Sequence, residues 1–80
     1  MRIELDENRL SNLKSEHRRL AREYAELKSR VDEYNARRFL PPGEEIERRA
    51  LQRAKLHKKD ALSALVAEIE KLERARADAS

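Results

Sequence analysis

The sequence has no cysteine and no tryptophan, and its 80 residues include only one glycine, two prolines, one phenylalanine and two tyrosines. The absence of cysteine excludes disulfides, cysteine-ligated zinc sites and thiol catalysis. No apolar run approaches the roughly 18 residues of a membrane-spanning helix, so no membrane association is expected. The first ten residues lack the apolar core of a signal peptide, so we expect a cytoplasmic protein.

Charge dominates the residues that are present. Charged residues make up 44% of the chain and apolar residues 39%. Because 19 basic residues face 16 acidic ones, the net charge is only +3, which argues against disorder and against a charged tail. The apolar residues are mostly leucine and alanine, which suits a narrow helical seam. Eighty residues make at most one domain, here 1–80.

The first half of the chain holds a strict seven-residue repeat of mostly apolar side chains. Its members are Leu10, Leu13, His17, Leu20, Tyr24, Leu27, Val31 and Tyr34, spaced alternately by three and four residues. Such a repeat, sustained over about four heptads, predicts a coiled-coil helix. Asp6 is the predicted N-cap, and Leu5 and Leu10 have the spacing of a hydrophobic staple, so we expect this helix over about residues 6–38.

The only glycine, both prolines and the only phenylalanine lie together in the segment FLPPG, residues 39–43. This segment predicts a turn, with Pro42 in the first turn of a second helix, where its missing N–H costs nothing. The two glutamates that follow would lie near the positive end of the helix dipole. We expect Gly43 to relieve crowding, and Phe39 and Leu40 to cover the open end of the seam.

The second helix is predicted over about residues 43–75, and we expect the tail ERARADAS, residues 73–80, to fray. Its seam is clearest at Leu62, Leu65, Ile69 and Leu72, which again alternate by three and four residues. Carried backwards, the same frame passes through Leu51, Lys55 and Lys58. At the two lysines we expect a neighbouring stripe to replace the seam, formed by Ala50, Ala54, His57 and Ala61.

Two such helices joined by a short turn predict an all-α, two-helix antiparallel coiled-coil hairpin. A single seam barely offsets the ordering of 80 residues at about 1.5 kcal/mol each. We therefore expect self-association, as a dimer of hairpins forming a four-helix bundle or as a higher oligomer. The alternative is a single long helix that bends at the prolines and pairs with another chain. The expected partner is a second copy or another helical protein.

Two segments, HRRLAREYAEL (residues 17–27) and LQRAKLHKKDAL (residues 51–62), carry a resemblance to a known family. The chain resembles the YdcH-like family of short bacterial helical-hairpin proteins. The matching positions are His17, Leu20, Tyr24 and Leu27, then Leu40, Pro42 and Glu44 in the turn, then Leu51, Lys55, Leu56, Lys59, Asp60 and Leu62. Gln52 and Arg53 stand where the family has lysines, and Pro41 stands where it has a capping Ser or Thr. The resemblance implies a bacterial, cytoplasmic, helical protein that associates through its helices, and it brings no catalytic residues.

The candidate site residues are packing residues, interpreted as the surface for self-association. They are Leu13, His17, Leu20, Tyr24, Leu27, Leu62, Leu65 and Ile69. No enzyme activity and no cofactor are expected, because a two-helix unit offers no deep pocket in which a pKa could shift strongly. No metal is expected either. His17 is interpreted as a polar seam residue and His57 as a surface or seam-edge residue, roughly 13 Å apart along the hairpin axis.

A basic segment on the second helix supports an alternative function. The candidates for phosphate contacts are Arg48, Arg49, Arg53, Lys55 and Lys59, with no acidic residue between Arg48 and Lys59. They would make the chain a nucleic-acid-binding module that uses the basic face of helix 2. The other interpretation is a solvated face on which some lysines pair with Glu26, Asp32 or Glu33. Because no known base-reading motif is present, we favour a non-enzymatic interaction or scaffold module.

Overall fold

The computed structural model describes the backbone of residues 2–79 and the side chains of residues 7–78. Within that range it contains two α-helices and no strand: α1 spans Arg2–Asn35 and α2 spans Pro42–Ala79. The helices lie side by side in a rod of 58 × 16 × 15 Å, and contacts between them run along their length. Because Arg37 near the end of α1 meets Glu44, whereas Arg76 near the end of α2 meets Glu7, the helices are antiparallel. The prediction of an all-helical fold with two helices is confirmed.

The start and end of α1 differ from the prediction. The helix begins at Arg2, so Asp6 lies inside it and is not its N-cap, and the Leu5 side chain lies outside the described residues. The helix ends at Asn35, three residues before Arg38. A residue that precedes proline is disfavoured in helical conformation, and proline itself cannot donate to the preceding turn, so the prolines force α1 to end upstream of them.

The start of α2 agrees with the expected role of Pro42, which is the first residue of the helix. The Glu45 N–H donates to the Pro41 carbonyl at 2.9 Å, so Pro41 occupies the cap position without a side-chain acceptor. Gly43 has no special conformation, since no positive φ occurs among the described residues, and a Cβ added to it would meet nothing within 4 Å. The prediction that Gly43 relieves crowding is wrong.

The tail of α2 is helical as far as Ala79, so the helix ends later than the predicted residue 75, whereas fraying of the tail stays a prediction. Two ion pairs tie this region to the first half of α1: Lys14 with Glu73 at 3.0 Å and Glu7 with Arg76 at 3.2 Å. The tail also consists largely of alanine, arginine and glutamate, which are strong helix formers. Local propensity and cross-helix pairing together extend the helix.

The seam lies along the contact between the helices. All eight members of the α1 repeat are buried or half-buried: Leu10, Leu20 and Val31 are buried, and Leu13, His17, Tyr24, Leu27 and Tyr34 are half-buried. Val31 is the most enclosed of them, with no exposed surface. On α2, Leu65 is buried, and Leu51, Lys55, Lys58, Leu62, Ile69 and Leu72 are half-buried. The four buried side chains are all aliphatic and spread along the rod, so the core is one side chain thick.

The α2 seam runs through its two lysines and does not shift to the alanine stripe. Of that stripe only Ala54 is half-buried, while Ala50, His57 and Ala61 are exposed. Lysine can line a seam because its four-carbon stem packs against apolar neighbours while the ammonium group reaches water or a carboxylate. Phe39 is 77% exposed, so the prediction that it covers the end of the seam is also wrong. Leu40, for which the same role was predicted, is half-buried.

Candidate interaction surface

The seam has two edges, which the heptad positions identify. With the seam residues at positions a and d, the residues that flank them are at e and g, and in an antiparallel pair each helix presents g to g and e to e. Arg9 pairs with Glu68 and Arg30 pairs with Glu47 at 3.1 Å, and all four lie at g positions. Lys14 and Glu73, which also pair, lie at e positions. We call the side of the g positions the closed edge and the side of the e positions the open edge.

The closed edge is linked by polar contacts from the free ends of the helices to the turn. Besides the two pairs at g positions, they are Glu23–Lys58 at 2.6 Å, Arg37–Glu44 at 2.9 Å and the Tyr34 hydroxyl, which donates to Glu47 at 2.7 Å. The sequence carried a signal for this edge, because Arg9, Glu16, Glu23, Arg30 and Arg37 recur every seven residues. The predicted site residues do not include this repeat.

The closed-edge contacts shift two pKa values. A hydrogen bond from Lys58 is the main reason why the pKa of Glu23 lies below its ordinary value, and the charge of Arg19 acts in the same direction. The hydrogen bond to Glu47 raises the pKa of the Tyr34 phenol, because the carboxylate stabilises the protonated hydroxyl. Both shifts therefore arise from partners on the same edge of the hairpin, and they mark structural contacts.

The turn end of the molecule holds a tight group of charges. The guanidinium of Arg37 lies 5.7 Å from the centre of the Tyr34 ring, while it also binds Glu44. A surface depression beside this group is lined by Arg30, Glu33, Tyr34, Arg37 and Glu44. Because the two arginines are already paired with carboxylates, this depression offers no free cation to an anionic ligand.

The open edge has far fewer polar contacts. Among residues 7–78, the ion pairs that cross the seam there are Lys14–Glu73 and, at the free ends, Glu7–Arg76. From Lys14 to the turn, the e positions of α1 are Ala21, Lys28 and Asn35, and those of α2 are Val66, Lys59, Gln52 and Glu45. None of the ion pairs of the described residues crosses this stretch.

Apolar and unpaired groups accumulate on the open edge. Val66 is 39% exposed, and Leu56, at the adjacent b position, is 49% exposed. The Gln52 Oε1 atom is shielded from solvent and has no hydrogen-bond partner within the described chain. Within the same range, Lys28 and Lys59 make no ion pair. This edge therefore combines an unsatisfied amide, unpaired cations and exposed aliphatic side chains.

The predicted seam residues are brought together within one chain. Leu20 and Leu65 are buried, and the other six, Leu13, His17, Tyr24, Leu27, Leu62 and Ile69, are half-buried. Half-burial means that each of these six side chains keeps a surface which another helix could cover. Over residues 7–78 no cluster of three His, Asp or Glu side chains is close enough to hold a metal ion.

The predicted basic face is divided by the structure. Glu45 accepts hydrogen bonds from Arg48 at 2.6 and 3.2 Å and from Arg49 at 3.3 Å, and Arg48 is the main reason why the pKa of Glu45 is lowered. Arg53, Lys55 and Lys59 have no ion pair among the described residues. The five cations fall on different sides of α2, since Arg48 and Lys55 occupy seam positions and Arg53 lies at the outermost position.

The expected pairing of α2 lysines with Glu26, Asp32 or Glu33 does not occur in the described part of the chain. The carboxylate that does receive a lysine is Glu23, at a g position beside the seam. The reason is geometric: Glu26 and Glu33 lie on the outer side of α1, and the Lys58 ammonium group emerges from the seam at the closed edge. A basic side chain at a seam position reaches only the flanking positions of the opposite helix.

Neither helix has, between residues 2 and 79, a stretch both long enough and apolar enough to cross a membrane. No protein-family model matches the chain, and comparisons with curated proteins and with solved structures found no match either. The resemblance to the YdcH-like family, and the bacterial origin and cytoplasmic location that it implies, therefore stay predictions.

Proposed function

We propose that this protein is a non-enzymatic interaction module whose helical hairpin self-associates. The observation that carries the proposal is the imbalance between buried and exposed apolar side chains. Leu10, Leu20, Val31 and Leu65 are the buried ones of the described chain, while four large apolar side chains remain exposed. These are Phe39 at 77%, Ile46 at 69%, Leu56 at 49% and Val66 at 39%.

The energetic reason is the size of the core. A chain of 80 residues buries a small share of its surface, and each Å² of apolar area removed from water contributes only about 25 cal/mol. Two packed helices enclose each seam residue on one side only, whereas a bundle of four helices encloses it on all sides. The six half-buried seam residues would gain further burial in such a bundle, which supports a dimer of hairpins.

A non-enzymatic role is supported by the state of the carboxylates and bases. Catalytic acids and bases generally have pKa values shifted by desolvation within a cleft. Here the lowered pKa of Glu23 and the raised pKa of Tyr34 follow first from hydrogen bonds to Lys58 and Glu47, which hold the two helices together. These two groups therefore have a structural use at the closed edge, and the lowered pKa of Glu45 likewise follows first from its hydrogen bonds with Arg48.

Sedimentation velocity combined with light scattering tests the proposal over a range of protein concentrations. We expect a mass of at least twice the 9.4 kDa of the chain at the higher concentrations, and dissociation on dilution. A mass of 9.4 kDa at every concentration, with full helicity by circular dichroism, would overturn self-association. The far-UV spectrum is the necessary control, because an unfolded variant would also be monomeric.

A nucleic-acid-binding module is the second candidate function, and the unpaired state of Arg53, Lys55 and Lys59 supports it. Cations without a carboxylate partner are available to phosphates, and phosphate binding weakens steeply with salt. Fluorescence anisotropy of labelled duplex DNA and RNA tests this candidate. Charge reversal of Arg53, which lies outside the open edge, would weaken binding and leave the oligomeric mass unchanged if it is right. Absence of binding at low salt would exclude it.

A further inference from the structure

The open edge of α2 continues into a longer stripe of surface residues. Its e and b positions, from the turn towards the tail, are Arg49, Gln52, Leu56, Lys59, Ser63, Val66, Glu70 and Glu73. They are spaced alternately by three and four residues, so they form one face of the helix. Cations and an amide occupy the end near the turn, acids occupy the end near the tail, and one exposed aliphatic residue lies in each half.

This order makes the stripe complementary to itself when a second copy is laid across it in the opposite direction. If the two-fold axis crosses the stripe at the level of residue 61, midway between positions 56 and 66, Leu56 of one copy meets Val66 of the other. Gln52 then meets Glu70, and Arg49 meets Glu73, because each pair is equidistant from the same midpoint. In an isologous interface every such contact occurs twice.

We propose that the open edge is the interface at which a second copy of this chain docks, antiparallel, about an axis that crosses the stripe at the level of residue 61. This proposal rests on the self-association proposed above and adds the face that mediates it. Two features support a second copy in particular: the charges of the stripe are complementary to its own reversed sequence, and the exposed aliphatic residues match each other across the axis.

The Gln52 amide and the Glu70 carboxylate form the polar contact beside each aliphatic pair. The Gln52 Nε2 group is a donor and the Glu70 carboxylate is an acceptor, so the two can form a hydrogen bond in the proposed dimer. The Glu70 carboxylate has no ion pair in the described chain. The Gln52 Oε1 atom is shielded within its own chain, so it is not the atom that a second copy reaches.

The closed edge is a less favourable docking site for a second copy of the chain. There the seam is flanked by carboxylates and cations that are already paired across the hairpin. A second chain docking on that side would have to displace those pairs or bury them, and burying paired charges brings a desolvation penalty. On the open edge only the two ends of the stripe are already paired, Arg49 with Glu45 and Glu73 with Lys14, and the six stripe residues between them make no ion pair among the described residues, so docking there costs less.

Site-directed cross-linking tests the interface, and the absence of native cysteine makes single-cysteine variants unambiguous. Ser63→Cys places a thiol on the stripe about two residues from the axis, so the two thiols of a dimer lie roughly 6 Å apart along the helix. Ala64→Cys is the matched control, because it is equally exposed but points about 100° away around α2. With a short bismaleimide we expect a covalent dimer from Ser63→Cys and little from Ala64→Cys.

The outcomes separate this proposal from the proposed function. If the native chain has a dimer mass and Ala64→Cys cross-links better than Ser63→Cys, self-association stands and the open-edge interface is overturned. A monomeric mass for the native chain overturns both and leaves the open edge for a helix of another protein. Equal cross-linking of both variants in a dimer of native mass also overturns the interface, since two positions so oriented cannot both lie at one two-fold axis.

A charge swap adds a second and independent readout. Glu70→Lys should raise the dimer dissociation constant by about fivefold or more, because the contact with Gln52 is lost twice per dimer. Adding Gln52→Glu to that variant should restore most of the affinity, since the two substitutions place a carboxylate opposite an ammonium group at the same contact. Glu26→Lys is the control, because Glu26 lies away from the stripe, and it should leave the constant unchanged. Absence of rescue in a folded double variant would contradict the pairing of these positions.

Discussion

The two edges of the seam begin from the same heptad pattern and end with different properties. On the closed edge, charges of opposite sign face each other across the hairpin, and five polar contacts join its two halves. On the open edge, the corresponding positions hold Ala21 and Lys28 opposite Val66 and Lys59, which form no ion pair. The apolar seam holds the hairpin together, and the asymmetry of its flanks leaves one side available for another helix.

The largest expected effect comes from the seam itself. Leu20→Ala removes a side chain that is only 7% exposed and leaves a cavity between the helices. We therefore expect the free energy of unfolding to fall by about 2–4 kcal/mol. Leu56→Ala, at a position that is 49% exposed, is the comparison, and in dilute protein it should cost less than about 1 kcal/mol. Urea unfolding followed by circular dichroism measures both. If both variants lose the same free energy of unfolding, Leu56 is as buried as Leu20.

A smaller change in stability, and a gain instead of a loss, is expected from a substitution at the start of α2. Gly43→Ala should stabilise the hairpin by about 0.4–1 kcal/mol, because Gly43 is helical, has ordinary φ and has open space where the Cβ would lie. Since Gly43 touches neither edge, the gain should be the same in dilute and concentrated protein. The midpoint of urea unfolding, compared between Gly43→Ala and the native chain at two protein concentrations, measures this gain. A gain only at high concentration would show that the turn takes part in association.

The smallest expected effect concerns the closed edge and depends on pH. The pKa of Glu23 is lowered from 4.5 mainly by Lys58, so its stabilisation is complete above that ordinary value and is lost as the pH falls through the lowered one. Glu23→Gln should therefore be less stable than the native chain near neutral pH, and this difference should vanish in acid.

Glu26→Gln is the matched control for this comparison, because Glu26 has no ion pair among the described residues. Its unfolding midpoint should follow that of the native chain at each pH. If Glu23→Gln and Glu26→Gln behave alike over the whole titration, the Glu23–Lys58 contact contributes nothing to stability, and the two edges do not differ in the way described.

The α1 seam could be predicted residue by residue, because a strict alternation of three and four residues has only one helical interpretation. The α2 seam could be predicted only in its second half, since a rule based on apolar residues rejects Lys55 and Lys58, whose stems pack where leucine would. The end of α2 was predicted too early, because its last turns depend partly on Arg76 and Glu7, which are distant in sequence. Helix ends and charged seam positions depend on the opposite helix.

The difference between the edges could not be predicted before the register of the helices was known. Which carboxylate meets which cation is fixed by how far one helix slides past the other, and a hydrophobic repeat tolerates a shift of one heptad. The predicted pairing of lysines with Glu26, Asp32 or Glu33 failed for a different reason, because those side chains lie at b and c positions and a lysine in the seam reaches only the flanking positions. Once the length of the turn is known, the charges at heptad spacing in α1 reduce the number of registers in which the two helices can pair.

The short connection at Pro41 and Pro42 also decides the order in which the hairpin can close. Arg37 and Glu44 are separated by 7 residues, Arg30 and Glu47 by 17, Glu23 and Lys58 by 35, and Glu7 and Arg76 by 69. The entropy of joining two points rises with the length of chain between them. Each pair formed near the turn shortens the loop that the next pair must close, so the molecule should zip from the turn outwards and open from its free ends. Protection of backbone amides against hydrogen exchange would then fall steadily from the turn to the ends.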